Sequence, residues 1–165
     1  MASPSLKKIN VKCSEGEVLE VEEALVNASP TMKRLIEEKY SKSENNIIIT
    51  LPEISIQILS KIIDFMNKHA DDVDDPSKAS KSDKESLNNW DTEFIKVDVD
   101  TLYDLILGAH YLKIQKLLDL GCKTVADKMK GKTPEEIRQI FDIKNDFSDE
   151  EEKEIRNTSP VFYDL

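Results

Sequence analysis

The chain has 165 residues, of which 34% are charged and 39% are hydrophobic, and its formal net charge is −10. This length fits one compact domain, or one domain with a small helical extension, and it excludes two large domains. The negative charge repels phosphate backbones, and the 23 basic residues are scattered among 33 acidic ones, so direct nucleic-acid binding is not expected.

The amino terminus and the hydropathy pattern predict the compartment. The segment 1–5 lacks the apolar run of a signal peptide, and no later stretch approaches the roughly 20 apolar residues of a membrane span. We therefore expect a cytoplasmic and nuclear protein without a membrane partner.

Cys13 and Cys122 are the only cysteines. They fit a reducing compartment and two buried thiols, with a disulfide between them as the alternative.

The first fifty residues predict a small sheet with a helix against it. Apolar and polar residues alternate in the segment 6–13, which is the period of a half-buried strand, and the segment 18–21 completes a hairpin with its turn at Gly16. A helix is predicted to begin at Ser29, and the isoleucines 47–49 predict a further strand.

The middle of the chain predicts a helix and then a loop. Ser55 can cap a helix whose apolar residues recur at helical spacing up to about His69. Over about 70–89 the sequence is rich in Asp, Ser and Lys and nearly free of apolar residues, so we predict a disordered acidic loop. The folded part of the chain is predicted to resume at Trp90.

Two longer helices are predicted after this loop. Asp98 or Asp100 can cap the first, and the second extends over about 114–128. Gly121 in the second helix would allow close approach by another element, and Gly131 would stop the helix.

Two short helices with strong start signals finish the chain. Thr133 with Glu136, and Ser148 with Glu151, have the spacing of capping boxes. These helices have more apolar side chains than so little local structure can hide, and we expect another surface to cover them. The apolar residues are Ile137, Ile140, Phe141, Ile143, Phe147 and Ile155.

No pattern in the sequence indicates catalysis. The segment 131–133 matches the end of a P-loop, but Ala126 occupies the position of the earlier glycine and no strand precedes it. Neither His69 nor His110 has partners at metal-ligand spacing, and no glycine-framed nucleophile occurs. We predict no catalytic residue, no metal and no cofactor.

The second half of the chain resembles the S-phase kinase-associated adaptor family, which links F-box proteins to a cullin in SCF-type ubiquitin ligases. The resemblance covers about residues 6–157, including the first strands and the acidic loop. It is carried most strongly by the segments 90–94, 105–112, 117–119, 122–126, 130–138 and 141–147.

This resemblance implies both a fold and a function. The fold would be α/β (α+β), with a POZ/BTB-type domain over 1–130, in which helices cover a small sheet, and C-terminal F-box-binding helices over 131–165. The function would be that of a non-catalytic adaptor that bridges F-box substrate receptors to the cullin scaffold in ubiquitin-dependent protein degradation.

The resemblance also assigns partner-binding residues. His110 and Tyr111 match the positions that contact the cullin N-terminal region, although the family usually has asparagine where this chain has His110. The F-box groove and its supporting core would comprise Leu102, Ile106, Ile114, Leu117, Leu118, Cys122, Val125, Met129, Ile137, Ile140, Phe141, Ile143 and Phe147. Apolar residues at helical spacing are also typical of an intramolecular core, so a purely structural role stays open for each of these positions.

The end of the chain departs from the family, which usually has a tryptophan-containing segment there. Pro160 is expected to stop the last helix early. We predict that Phe162 or Tyr163 serves as the aromatic anchor, with selection of a narrower set of F-box proteins by the tail as the alternative. The alternative function is a POZ scaffold that self-associates, forming a homodimer when no F-box partner is present. An elongin C-like subunit would share the POZ core but normally lacks terminal helices, so the two helices predicted here argue against that function.

Overall fold

The structure is a computed structural model that describes residues 7–41, 47–70 and 81–162. In these ranges the chain forms three strands and eight α-helices, followed by a 3-10 helix at Pro160–Phe162. The elements are β1 (Lys8–Lys12), β2 (Val18–Glu22), α1 (Glu23–Ala28), α2 (Pro30–Ser41), β3 (Ile48–Thr50), α3 (Ile56–Lys68), α4 (Lys81–Phe94), α5 (Val99–Leu112), α6 (Gln115–Met129), α7 (Pro134–Phe141) and α8 (Asp149–Thr158). The chain divides into two compact units, Met1–Gly121 and Cys122–Leu165, called unit 1 and unit 2 below.

The sheet of unit 1 has the strand order β2-β1-β3. Strands β1 and β2 are antiparallel with Ile9 opposite Val21, and β1 and β3 are parallel with Val11 opposite Ile49. The N–H of Gly16 donates to the carbonyl of Cys13 at 3.0 Å and closes the turn between β1 and β2. The predicted hairpin and the third strand are therefore confirmed.

The core of unit 1 lies between this sheet and its helices. Helices α1, α2 and α3 contact the sheet, and α5 packs on α2 and α3. Val11, Met32, Leu59, Ile62 and Leu105 are fully buried in this core. The mixed fold class, a small sheet covered by helices, is confirmed.

Helix α1 was not predicted from the sequence. It has only six residues, and its N-cap Glu22 makes no side-chain capping bond. Leu25 and Val26 are its buried residues. Burial of these two side chains holds a helix that is too short to show a periodic pattern.

Residues 81–89, predicted as the last part of a disordered acidic loop, instead belong to helix α4, so the prediction is wrong for them. The half-buried side chains of Leu87, Trp90 and Phe94 recur at helical spacing. The rings of Trp90 and Phe94 stack with centroids 4.9 Å apart, and Phe94 lies 5.6 Å from the ring of Phe65 in α3. These contacts hold a helix whose own sequence is mostly polar. The part of the predicted loop at 71–80 lies outside the described residues.

The other predicted helix boundaries are confirmed. Ser55 caps α3, and the carboxylate of Asp98 accepts from the N–H of Thr101 at 3.0 Å at the start of α5. Helix α6 ends at Met129, and Gly131 follows with a φ of +69°. Helix α8 ends before Pro160, as expected.

Candidate partner-binding surfaces

An exposed row of large side chains extends along α5 in unit 1. Tyr103, Leu107 and Tyr111 follow one another at intervals of four residues and are 61%, 48% and 38% exposed. Helical residues at this spacing lie on one face. His110 is also exposed, in the last turn of the helix. We call these four residues the α5 face.

Sequence reasoning found only part of the α5 face. His110 and Tyr111 were predicted to bind a cullin, and the structure leaves both side chains exposed. Tyr103 and Leu107 were missed. Their spacing to Tyr111 was a usable signal, but α5 is apolar on nearly every side, so the sequence did not indicate which side faces the core.

The predicted F-box-binding residues of unit 1 divide into core and surface. Leu102 and Leu117 are each 1% exposed, so they can support an F-box surface but not form it. Ile106, Ile114 and Leu118 are half-buried and keep accessible area. Leu102 and Leu117 therefore lie in the core of unit 1, which fits both the predicted supporting core and the alternative of a purely structural role.

Helices α7 and α8 of unit 2 begin at complete capping boxes but bury none of their residues. Two of the largest apolar side chains between and beside them, Ile143 and Phe147, are 53% and 48% exposed. Exposed apolar side chains in such number indicate an interaction surface. The predicted F-box-binding residues of unit 2, called the unit 2 face, are the half-buried Val125, Ile137, Ile140 and Phe141 and the exposed Cys122, Met129, Ile143 and Phe147.

Arg138 connects the elements of unit 2 that carry these side chains. Its backbone carbonyl accepts from the N–H of Ile143 at 2.8 Å, and its guanidinium lies 6.0 Å from the ring centre of Phe147. The same guanidinium pairs with Glu135 at 3.2 Å and with Glu152 at 3.9 Å. Polar and cation–π contacts of one side chain thus hold α7, α8 and the segment between them, where no buried core does so.

The two cysteines differ in exposure. Both are free thiols, so the alternative of a disulfide is excluded. Cys13 is buried, and this burial raises the pKa of its thiol. Cys122 is exposed, so the prediction of two buried thiols is wrong for Cys122. Helical periodicity identifies the apolar face of α6 but does not say whether another element covers that face.

The described residues contain no group of three or more His, Cys, Asp or Glu side chains that could hold a metal ion. No helix within them has the length and apolar character needed to cross a membrane. His69 is 8% exposed, and its Nε2 lies 2.8 Å from Oδ1 of Asp91. This histidine therefore takes part in packing α4 onto the end of α3.

The carboxyl-terminal segment is described only in part. Residues Pro160–Phe162 form a 3-10 helix in which Val161 is 72% exposed. Tyr163, one of the two predicted aromatic anchors, lies outside the described residues. The anchor at Phe162 or Tyr163 stays a prediction.

Comparison with known proteins gives consistent matches over nearly the whole chain. Residues 7–71 match a family model described as the Skp1 family, tetramerisation domain, and residues 115–160 match one described as the Skp1 family, dimerisation domain. SKP1-like protein 1 of Oryza sativa subsp. japonica is 48% identical over 169 residues, with 94% of this chain and 95% of that protein covered. SKP1-like protein 4 of Arabidopsis thaliana is 46% identical over 155 residues, with 92% and 93% covered. A protein of Dictyostelium discoideum, named SCF ubiquitin ligase complex protein SKP1b, is 42% identical over 151 residues, with 90% and 91% covered.

These matches agree with the architecture. The first of them is to a POZ domain and spans the strands and the first three helices of unit 1, which confirms the predicted POZ-type fold. The second spans α6, α7 and α8. The chain belongs to the Skp1 family.

Proposed function

We propose that this protein is the adaptor subunit of an SCF-type cullin-RING ubiquitin ligase, where it bridges F-box substrate receptors to a cullin scaffold. The observation that carries the proposal is that α7 and α8 are well capped yet bury none of their residues. Membership in the Skp1 family supports it, as does the similarity to a protein named as part of an SCF ubiquitin ligase complex. In this role the protein catalyses no reaction itself. It raises the local concentration of a substrate near the cullin-bound machinery that transfers ubiquitin.

The unit 2 face is the proposed F-box-binding surface, and most of its residues lie in the region 131–165. The region 1–130 is proposed to form the POZ-like domain. An amphipathic helix binds by placing its apolar side chains against an apolar surface of this kind. The first turn of α8 holds Asp149, Glu150, Glu151 and Glu152. A partner helix with basic residues beside its apolar stripe would complement this charge.

The α5 face is the proposed cullin-binding surface. Tyr103 and Tyr111 each combine a rigid apolar ring with a polar hydroxyl, which is the residue type enriched at interface hot spots. Leu107 continues the apolar row between them. We also propose that the protein acts in the cytoplasm and the nucleus, that it needs no cofactor, and that it binds neither membranes nor nucleic acid.

The experiment that tests the proposal is capture of a cullin N-terminal domain and, separately, of an F-box peptide by the purified protein. Leu107→Asp places a charge on the α5 face, and Ile143→Asp places one on the unit 2 face. Val18→Asp is the matched control, because Val18 is 50% exposed on β2 and belongs to neither surface. We expect each substitution to weaken its own partner by tenfold or more, since burial of an unpaired carboxylate opposes association.

The pattern of losses decides the outcome. Loss of cullin binding only in Leu107→Asp, and of F-box binding only in Ile143→Asp, supports the two-surface adaptor. If the wild-type protein captures neither partner, the adaptor function is wrong.

A self-associating scaffold outside the ligase is the second candidate. The two matching family models are described as dimerisation and tetramerisation domains, and the exposed side chains of the unit 2 face offer an apolar surface for a homodimer when no F-box partner is present. A mass that rises with protein concentration, and does not fall when an F-box peptide is added, would favour this function over the adaptor.

A further inference from the structure

The last four carbonyl groups of α5 all have hydrogen-bond donors, although a helix end leaves such groups without partners inside the helix. The carbonyl of Ala109 accepts from the N–H of Ile114 at 2.9 Å, and that of His110 accepts from the N–H of Lys113 at 3.2 Å. Lys113 reaches this position with a φ of 57°, in the left-handed conformation typical of a helix end. The local chain therefore supplies partners for two of the four carbonyls.

The other two partners come from the start of α2. Oγ1 of Thr31 donates to the carbonyl of Tyr111 at 2.7 Å, and Oγ of Ser29 donates to the carbonyl of Leu112 at 2.6 Å. Thr31 is 7% exposed and Ser29 is 0% exposed, so water does not easily replace either hydroxyl. These bonds join residues about eighty positions apart in the sequence.

Ser29 also fixes the helix from which the donors come. Its Oγ accepts from the N–H of Met32 at 3.3 Å, and its carbonyl accepts from the N–H of Lys33 at 2.9 Å. One hydroxyl thus caps the first turn of α2 and binds the last turn of α5. The two helix ends are held in one geometry by the same side chain.

We propose that Thr31 is a positioning residue for Tyr111 in the cullin-binding α5 face, with Ser29 in a supporting position; this inference rests on the proposed adaptor function. The carbonyl that Thr31 holds belongs to Tyr111 itself, whose side chain is 38% exposed. Fixing the backbone of Tyr111 fixes the direction of its Cα–Cβ bond, and hence the place where the ring meets a partner. Without the hydroxyl, this carbonyl loses its donor at a place that water does not easily reach, and the last turn of α5 becomes less stable.

The test is Thr31→Val, which keeps the branched shape and removes the hydrogen-bond donor, measured as Kd for a cullin N-terminal domain and for an F-box peptide. We expect cullin affinity to fall about three- to tenfold, the size of effect that one hydrogen bond has on an equilibrium. We expect F-box affinity to stay within about twofold, because the hydroxyl of Thr31 binds the carbonyl of Tyr111, which belongs to the α5 face and not to the F-box-binding set. Thr31→Ser restores the hydroxyl and should restore cullin affinity.

The two failures are distinguishable. If wild-type protein binds the cullin and Thr31→Val binds it equally well, or if cullin and F-box affinities fall together, the positioning role is wrong while the adaptor function stands. If the wild-type protein does not bind the cullin, the proposed function fails and the positioning role fails with it.

Ser29→Ala provides a second variant with a different expectation. It removes a cap of α2 as well as the donor to Leu112, so it should lower Tm more than Thr31→Val does. The Kd for the cullin, measured at a temperature where the wild type and both variants are fully folded, separates positioning from stability. A Ser29→Ala protein with a lower Tm but the wild-type Kd for the cullin would remove Ser29 from the proposal.

Discussion

Gly121 in α6 and Ile106 in α5 lie so close that a Cβ atom on Gly121 would be 2.5 Å from Cγ1 of Ile106. Real Cβ atoms essentially never approach another carbon to this distance, so the glycine is required for the two helices to approach as they do. Ile106 is one of the half-buried residues assigned to the F-box side. The packing of α6 on α5 therefore depends on the absence of a side chain at position 121.

Gly121→Ala should lower the free energy of unfolding by about 1–2 kcal/mol. Overpacking of a core contact costs about 1–3 kcal/mol, and the better helix propensity of alanine returns up to about 1 kcal/mol. Urea denaturation followed by circular dichroism measures the difference.

The control is the same substitution in an Ile106→Ala background, which removes the two atoms that Gly121→Ala would meet first. There we expect Gly121→Ala to be neutral or slightly stabilising. Equal costs in both backgrounds would mean that this contact is not the reason for the glycine.

Local signals in the sequence predicted the helix starts well. Ser55, Asp98, Thr133 and Ser148 each accept a hydrogen bond from an N–H three residues later, as predicted. A cap depends on neighbours within one turn, so the sequence contains nearly all of the information that it needs.

Signals that depend on distant residues were missed. Helix α4 is held by contacts of Trp90 and Phe94 with Phe65, which lies in α3 and is remote in the sequence. The exposure of Cys122 and of Tyr103 likewise depends on which elements cover a helix. Composition and periodicity describe one segment at a time, and they therefore leave these outcomes open.

Asp91→Ala should destabilise the docking of α4. Oδ1 of Asp91 accepts from Nε2 of His69 at 2.8 Å, and both side chains are mostly buried. Loss of a hydrogen bond to a charged group costs about 1.5–3 kcal/mol. Trp90 is the only tryptophan, so its fluorescence reports the same event, and we expect a red shift of its emission as the ring becomes solvated.

Glu93→Ala is the matched control for Asp91→Ala. Glu93 lies in the same turn and pairs with Lys96, but both side chains are exposed. We expect its removal to change stability by no more than about 0.5 kcal/mol and to leave the emission of Trp90 unchanged. Similar losses in both variants would argue against a specific role for the contact of Asp91 with His69.

The two cysteines should react with a thiol reagent at very different rates. Cys122 is exposed, whereas Cys13 is 2% exposed and has a pKa raised by burial, which lowers its thiolate fraction. In folded protein treated with iodoacetamide, mass spectrometry should find Cys122 modified first. In strong denaturant the two rates should become similar, which serves as the control.

An F-box peptide should protect Cys122 from the same reagent. Cys122 belongs to the unit 2 face, so a bound helix would cover it, while the rate at Cys13 should stay as it is in the free protein. Unchanged alkylation of Cys122 at a saturating concentration of bound peptide would exclude this cysteine from the F-box surface.

The carboxylates of the two capping boxes should titrate below the ordinary glutamate range. Oε2 of Glu136 accepts from the N–H of Thr133 at 2.8 Å, and Oε2 of Glu151 accepts from the N–H of Ser148 at 2.8 Å. In each case this backbone hydrogen bond is the largest cause that lowers the glutamate pKa from 4.5. A folded-state pKa below the unfolded one stabilises the helix start above pH 4.5, and this contribution disappears as the pH falls through the lowered value.

An NMR titration of the Thr133 and Ser148 amides follows the protonation of Glu136 and Glu151 directly. Both amide shifts should stay constant from neutral pH down to about pH 5 and then move with midpoints below 4.5, as the bonds to Glu136 and Glu151 are lost. Glu136→Gln should remove the step at Thr133 and leave the step at Ser148. Glu154→Gln, at an exposed position later in α8, should leave both steps unchanged. Midpoints at or above 4.5 for both amides would show that the capping boxes do not hold these carboxylates in solution, and the support they give to α7 and α8 would then have to come from a bound partner.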